Sequence, residues 1–102
     1  MDISITGRNI ELDEAVRRYA ERRLGRMDRY FPGVRRIRVV ITDEKTRSPE
    51  DRFLVEVAID TERGLVLAEE RGRNIPMAVD KAKDVLKIRL ERLKGKLYVR
   101  GY

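Results

Sequence analysis

The chain contains no cysteine and no histidine. Without cysteine it can form no disulfide framework, no cysteine-ligated zinc site and no thiol nucleophile, and such a composition suits a reducing cytosol. Without histidine it lacks the side chain that most often performs acid–base chemistry near neutral pH. These two absences exclude the commonest metal sites and several classes of catalytic centre.

Long apolar runs and aromatic residues are also scarce. Residues 1–10 lack the basic and apolar regions of a secretory signal, and no uninterrupted apolar run approaches the length of a membrane span. Aromatic residues make up 6% of the chain, which leaves few platforms on which single-stranded bases could stack. We therefore expect no membrane partner and no base-stacking sheet.

Charge is what the chain has in abundance. Charged residues make up 41% of its 102 residues, and 24 basic side chains outnumber 18 acidic ones to give a net charge of +6. The excess is local, since residues 75–102 hold eight basic and three acidic side chains whereas residues 43–74 hold six and nine. A length of 102 residues predicts one domain, 1–102, and the basic balance favours a polyanionic partner.

The hydrophobic pattern alternates between strand and helix periods. Ile37, Val39 and Ile41 alternate with Arg36 and Arg38, as in a half-buried strand. Taken along the chain, such patterns predict a strand at 2–7, a helix at 13–29, strands at 34–42, 52–60 and 65–70, and a helix at 74–94. The order β-α-β-β-β-α predicts an α+β fold: a four-stranded sheet with two helices packed on one face, similar to double-stranded-RNA-binding domains (dsRBD-like).

Projection of the first predicted helix sorts its charges by side. Its apolar stripe runs from Leu12 to Met27, and Arg23 falls at the edge of that stripe. The acidic residues Glu14, Glu21 and Asp28 fall on one side, and the basic residues on the other side are Arg18, Arg22, Arg26 and Arg29.

The second predicted helix repeats this sorting. One row consists of Lys81, Arg89, Arg92 and Lys96. The opposite row is acidic, and each of its members has a lysine three residues later: Asp80 with Lys83, Asp84 with Lys87, and Glu91 with Lys94. Such pairs stabilise a helix only slightly, but they predict that those lysines are neutralised locally. Two unpaired basic rows on neighbouring helices would form a surface suited to phosphates, although a solvated charged face is the plain alternative.

Two long stretches carry a family resemblance. Residues 5–31, ITGRNIELDEAVRRYAERRLGRMDRYF, and residues 65–86, LVLAEERGRNIPMAVDKAKDVL, resemble the ribosome hibernation-promoting factors, also called ribosome-associated inhibitors or ribosomal subunit interface proteins. The resemblance implies a protein of the bacterial cytoplasm or the plastid stroma. Its partner would be the small ribosomal subunit and its rRNA, bound between head and body over the mRNA and tRNA channel, so that idle ribosomes are silenced.

The resemblance also implies which residues bind rRNA. Arg8, Arg23, Arg26 and Arg29 match basic positions of the family, as do Arg92 and one of Lys94 or Lys96. Val85 and Ile88 stand where the family is often basic, and Lys81 and Arg89 beside them could substitute. With the helix projection, the expected rRNA-binding set is Arg8, Arg18, Arg22, Arg23, Arg26, Arg29, Lys81, Arg89, Arg92, Lys94 and Lys96. The extra C-terminal domain of long members is missing, so we expect a short member or a piece of a long one.

Three other functions compete with this interpretation. Acidic pairs such as Glu50-Asp51 have no metal-ligand spacing, phosphate loop or nucleophile–base set beside them, so we expect no enzyme, no cofactor and no small-molecule substrate. A general double-stranded-RNA binder would share the electrostatics. A protein-interaction module could use an apolar patch at Met77, Val85 and Ile88. The oligomeric state stays open.

Overall fold

A computed structural model describes residues 2–99 of the chain, with side chains as far as residue 95. The strands and helices follow one another in the predicted order, β-α-β-β-β-α. The elements are β1 (Asp2–Arg8), α1 (Glu14–Leu24), β2 (Val34–Asp43), β3 (Phe53–Thr61), β4 (Gly64–Gly72) and α2 (Ile75–Val99), with short 3₁₀ turns at Met27–Arg29 and Pro49–Asp51. The predicted α+β class is confirmed.

The four strands form one mixed sheet in the order β1-β2-β3-β4. β1 runs parallel to β2, and the other two neighbouring pairs are antiparallel. The β3–β4 hairpin turns at Gly64, whose φ of 119° is one that side-chain-bearing residues rarely adopt. β1 and β4 are therefore the two edges of the sheet.

Both helices pack on the same face of the sheet. In register across the middle strands, Ile37 opposes Ile59 and Val39 opposes Val57, and all four side chains are buried. One continuous core joins this face to Leu24 of α1 and to the buried stripe of α2, which consists of Ala78, Val79, Ala82, Leu86 and Leu90. Burial of each large apolar side chain contributes about 2 kcal/mol, so this stripe fixes the position of α2.

The ends of both helices differ from the prediction. α1 ends at Leu24 rather than Arg29, and its last backbone bond runs from the N–H of the capping residue Gly25 to the Glu21 carbonyl at 2.8 Å. The chain then bends so that Met27 and Phe31 enter the core, 1% and 2% exposed. α2 continues through Gly95 to Val99, beyond the predicted end at 94, since a single glycine weakens a helix without ending it.

Basic side chains from the helices reach backbone carbonyls on both edges of the sheet. Arg17 of α1 donates to the Ile5 carbonyl of β1 at 2.9 Å. Lys81 of α2 donates to the Arg71 carbonyl of β4 at 2.9 Å, and the guanidinium of Arg89 donates to the carbonyl of Leu67. These side chains are therefore engaged with the sheet.

The connection between β2 and β3 is held by ion pairs. Arg52 makes two hydrogen bonds to the Asp43 carboxylate, at 2.8 and 3.0 Å, and Arg71 contacts Glu44. The side chain of Asp43 is only 5% exposed. The bond from Arg52 lowers the pKa of Asp43 below its usual value, while burial acts in the opposite direction.

Candidate nucleic-acid interface

A basic cavity opens between the end of α1, the turn after it and α2. We call this cavity the arginine cleft, and its volume is about 180 Å³. It is lined by Arg22, Arg23, Arg26, Met27, Arg29, Tyr30 and Lys83. Five of these seven residues are basic and none is acidic, so the cleft concentrates positive potential at one place.

The local fold arranges the arginines around this opening. Arg22 and Arg23 lie in the last turn of α1, where the partial negative charge of the helix end favours cations. Arg26 is the N-cap of the 3₁₀ turn Met27–Arg29, and Arg29 is the last residue of that turn. Burial of Met27 within that turn holds its backbone against the core, so the flanking arginines extend outward.

Side chains next to the cleft connect the two helices. The Tyr19 hydroxyl of α1 donates to the Asp80 carboxylate of α2, with both carboxylate oxygens at 2.8 Å. Arg23 lies over the Tyr19 ring, with its guanidinium carbon 4.9 Å from the ring centroid, and its Nε is 3.9 Å from Asp80 Oδ1. Burial and the bond to Asp80 raise the pKa of Tyr19, so its hydroxyl stays protonated as a donor.

The other three arginines of the cleft are free to contact a ligand. Arg22, Arg26 and Arg29 are exposed. Within the described residues, none of the three side chains makes a hydrogen bond or an ion pair with another side chain. An arginine presents a planar set of donors that matches the geometry of a phosphate.

Lys83 is a residue that the sequence interpretation missed. It was expected to pair with Asp80, but Asp80 contacts Tyr19 and Arg23 instead. Among side chains up to residue 95, no ion pair joins Asp80 to Lys83, Asp84 to Lys87 or Glu91 to Lys94. Lys83 lines the arginine cleft, and the Lys87 ammonium lies 5.4 Å from the centroid of the Tyr30 ring.

The predicted row on α2 lies on its other flank, toward β4. Lys81 and Arg89 bind β4 carbonyls, and Arg89 and Arg92 border a shallow groove with Leu65 and Leu67. The prediction that two basic rows would lie side by side on neighbouring helices is therefore wrong. The sequence alone does not show which flank of α2 faces α1. Once that flank is known, helical spacing places Lys83, Lys87 and Lys94 on the side of the cleft.

The remaining predicted residues lie away from the cleft. Arg8 ends β1 on the sheet face opposite the helices, with its Nη1 3.9 Å from Glu56 Oε1. Arg18 pairs with Glu14, its Nε 3.4 Å from Oε1, although the two were predicted on opposite sides of the helix. The side chain of Lys96 lies outside the described residues.

The cleft offers charge and hydrogen-bond donors. In the described part of the chain, no three His, Cys, Asp or Glu side chains are grouped to hold a metal ion. No helix in that part is long and apolar enough to pass through a bilayer. What the cleft can do chemically is bind an anion with several oxygens.

A comparison of the sequence with protein families shows which family the chain belongs to. The family described as Sigma 54 modulation protein / S30EA ribosomal protein matches residues 3–98. The chain belongs to this family. The resemblance drawn from residues 5–31 and 65–86 is thereby confirmed.

Two proteins similar to this chain have names that describe ribosome hibernation factors. A ribosome hibernation promotion factor of Deinococcus radiodurans is 39% identical over 90 residues, which cover 88% of this chain and 47% of that protein. The chain thus spans about half the length of that relative. A ribosome hibernation promoting factor of Salmonella typhimurium is 30% identical over 97 residues, 95% of this chain and 97% of that protein.

Two solved structures share the fold. The Thermus thermophilus Protein Y N-terminal domain superposes with a TM-score of 0.76 at 33% identity, over 91% of this chain and 99% of that one. A ribosomal subunit interface protein from Coxiella burnetii gives 0.80 at 18% identity, over 93% and 99% of the two chains. At that identity the second likeness concerns the fold alone.

Proposed function

We propose that the chain is a ribosome hibernation factor. It binds the small ribosomal subunit through rRNA, over the channel for mRNA and tRNA, and silences translation by idle ribosomes in the cytoplasm. It acts as a regulator by occupying this site, without catalysing a reaction. The names of the relatives from Deinococcus radiodurans and Salmonella typhimurium support the assignment to ribosomes.

The observation that carries the proposal is the arginine cleft. Arg22, Arg26 and Arg29 are exposed, lack side-chain partners among the described residues, and meet at an opening with no acidic lining. Folded rRNA is recognised largely through its shape and phosphates, and each phosphate that is neutralised releases a counterion. A cluster of free arginines is suited to this mode of binding.

The other basic residues have a lesser part in the proposal. Lys81, Arg89 and Arg92 would form a second line of contact on the β4 flank, weaker because two of them already bind backbone carbonyls. Arg23 and Lys83 belong to the cleft itself. Peripheral contacts to rRNA are proposed for Arg8, Arg18, Lys94 and Lys96.

Co-sedimentation with ribosomal subunits through a sucrose gradient tests the proposal. We expect the chain to travel with small subunits and to inhibit translation in a cell-free system. Replacement of Arg22, Arg26 and Arg29 by glutamate should abolish both effects. A matched variant carries the same charge change on exposed residues away from the cleft, Arg36, Lys45 and Arg63, and should still co-sediment.

A competition experiment separates this function from general binding of duplex RNA. Excess double-stranded RNA is added to the same gradient at moderate salt. A ribosome factor that needs the assembled shape of the subunit stays bound, whereas a general duplex binder is removed.

The two charge-changed variants provide the outcome that would contradict the proposal. Equal losses of co-sedimentation in the cleft variant and the matched variant would mean that net charge, not the cleft, determines binding.

A further inference from the structure

We infer that the arginine cleft holds an unpaired nucleotide, whose base stacks on Tyr30 while its phosphate meets the surrounding guanidinium groups. The inference rests on the proposed function and names the form of RNA that the cleft takes. It assigns a base-binding role to an aromatic residue among cations. A duplex, whose bases stay within its own stack, could use only the rim of the cleft.

The position of Tyr30 is the first argument. Its ring is half-buried and lines the cleft, whereas the adjacent Phe31 is 2% exposed and belongs to the core. Its backbone N–H donates to the Met27 carbonyl at 3.0 Å, which fixes the residue at the end of the 3₁₀ turn. The ring packs partly against the core and partly lines the cleft, and its hydroxyl makes no hydrogen bond with the described residues. One part of the ring is therefore held by packing while another part faces the opening.

The contact with Lys87 is the second argument. Its ammonium lies 5.4 Å from the Tyr30 ring centroid, so a cation already uses the π face of this ring. Stacking of a base on an aromatic ring is the stronger of the two interactions. Lys87 does not itself line the cleft, so the contact supports one point: the Tyr30 ring has a π face that a ligand group can reach.

The size of the cleft is the third argument. At about 30 Å³ for each water molecule, its volume of about 180 Å³ corresponds to roughly six waters. That space admits one phosphate, with the base of the same nucleotide against the Tyr30 ring in the lining, but not the width of a helix. Arginines at positions 22, 26 and 29 surround the space, so the phosphate and the base of one nucleotide can be bound together.

A thermodynamic cycle measures the coupling between the Tyr30 ring and a base. The ring is removed by substitution in the protein, and the base is removed in the RNA. The probes are two RNA hairpins with a single-nucleotide bulge, one intact and one with an abasic ribose at the bulge, so that the phosphates are identical. The proteins are the unchanged chain, Tyr30→Leu and Tyr30→Phe. Affinities are measured by fluorescence anisotropy at one fixed salt concentration.

We expect the unchanged chain to bind the intact bulge about tenfold more tightly than the abasic one, as stacking predicts. Tyr30→Phe should keep this ratio, because it keeps the ring. Tyr30→Leu should reduce the ratio to about one while binding the abasic hairpin as tightly as the unchanged chain does. A ratio near one for the unchanged chain, or an undiminished ratio for Tyr30→Leu, would overturn the inference.

Failure of this inference can be distinguished from failure of the proposed function. If the cleft variant with three glutamates loses ribosomes while the hairpin ratio is near one, the ribosome assignment stands and the stacking inference fails. If the unchanged chain does not co-sediment with small subunits, the proposed function fails whatever the hairpins show. Should Tyr30→Leu fail to fold by circular dichroism, Tyr30→Ala replaces it as the variant without a ring, and a ratio near one for the unchanged chain still overturns the inference.

Discussion

The Tyr19 hydroxyl on α1 lies 2.8 Å from both carboxylate oxygens of Asp80 on α2. This is the hydrogen bond that joins side chains of the two helices within the described residues. Because Arg23 contacts both partners and also lines the arginine cleft, the bond couples the packing of the helices to the shape of the cleft.

Replacement of Tyr19 by phenylalanine should lower the free energy of unfolding by about 1–2 kcal/mol, since a hydrogen bond to a charged group is lost. The ring remains, so its packing and its contact with Arg23 are kept. Urea denaturation at pH 7 measures the change. An unaltered midpoint would show that the bond to Asp80 contributes nothing to stability.

The pair of Arg52 and Asp43 should make stability depend on pH in the acidic range. Arg52 lowers the pKa of Asp43 in the folded protein, so this contribution is complete above the unfolded value of about 3.9 and is lost as the pH falls through the folded value. Arg52→Met keeps an unbranched stem against Phe53 but removes the charge.

We therefore expect Arg52→Met to be less stable than the unchanged chain at pH 7, and the gap to narrow as Asp43 becomes protonated. Thermal denaturation of both proteins from pH 7 to pH 2.5 measures this gap. A gap of constant size across that range would refute a role for the ionised Asp43.

Two lysines of α2 provide a matched pair of substitutions. Lys83 lines the arginine cleft, whereas Lys81 lies on the other flank and donates to a carbonyl of β4. Lys83→Glu should weaken binding to small subunits about tenfold or more, because it places a carboxylate among four arginines, and Lys81→Glu should have the smaller effect. Filter binding of small subunits by both variants measures the difference. A larger loss of affinity for Lys81→Glu than for Lys83→Glu would place the interface on the β4 flank.

Binding should also weaken steeply with salt. If the basic residues of the cleft and of the β4 flank together neutralise about five phosphates, the slope of log K against log salt concentration is about −3.5 to −4.5. The variant with glutamate at positions 22, 26 and 29 should show a flatter slope. Affinities measured between 50 and 300 mM KCl, as an experimental range, give the slope, and a value near zero would argue against phosphate contact.

Much of the fold could be predicted from the alternation of apolar residues. Strand β2 and the turn at Gly64 follow from short-range rules. The start of α1 does too, because Asp13 is a typical N-cap residue, and its carboxylate accepts a hydrogen bond from the Val16 N–H at 2.9 Å. The end of α1 could not be predicted in this way, because burial of Met27 and Phe31 decides where the chain bends after Gly25.

The candidate site could be predicted only in part. Arg22, Arg23, Arg26 and Arg29 were nominated and do meet in one cleft. Lys83 was dismissed because spacing along one helix suggested a pair with Asp80. Contacts between helices determine the true partner of Asp80, and a projection of α2 alone contains no information about α1.

The cations on the sheet's edges have a consequence for solubility at high protein concentration. An edge strand with unoccupied carbonyls can recruit a strand of another molecule, and repeated recruitment builds fibrils. Arg17 occupies a carbonyl of β1, and Lys81 and Arg89 occupy carbonyls of β4, so we expect both edges of the sheet to resist such growth. Part of the chain's basicity would then protect it from polymerising with itself.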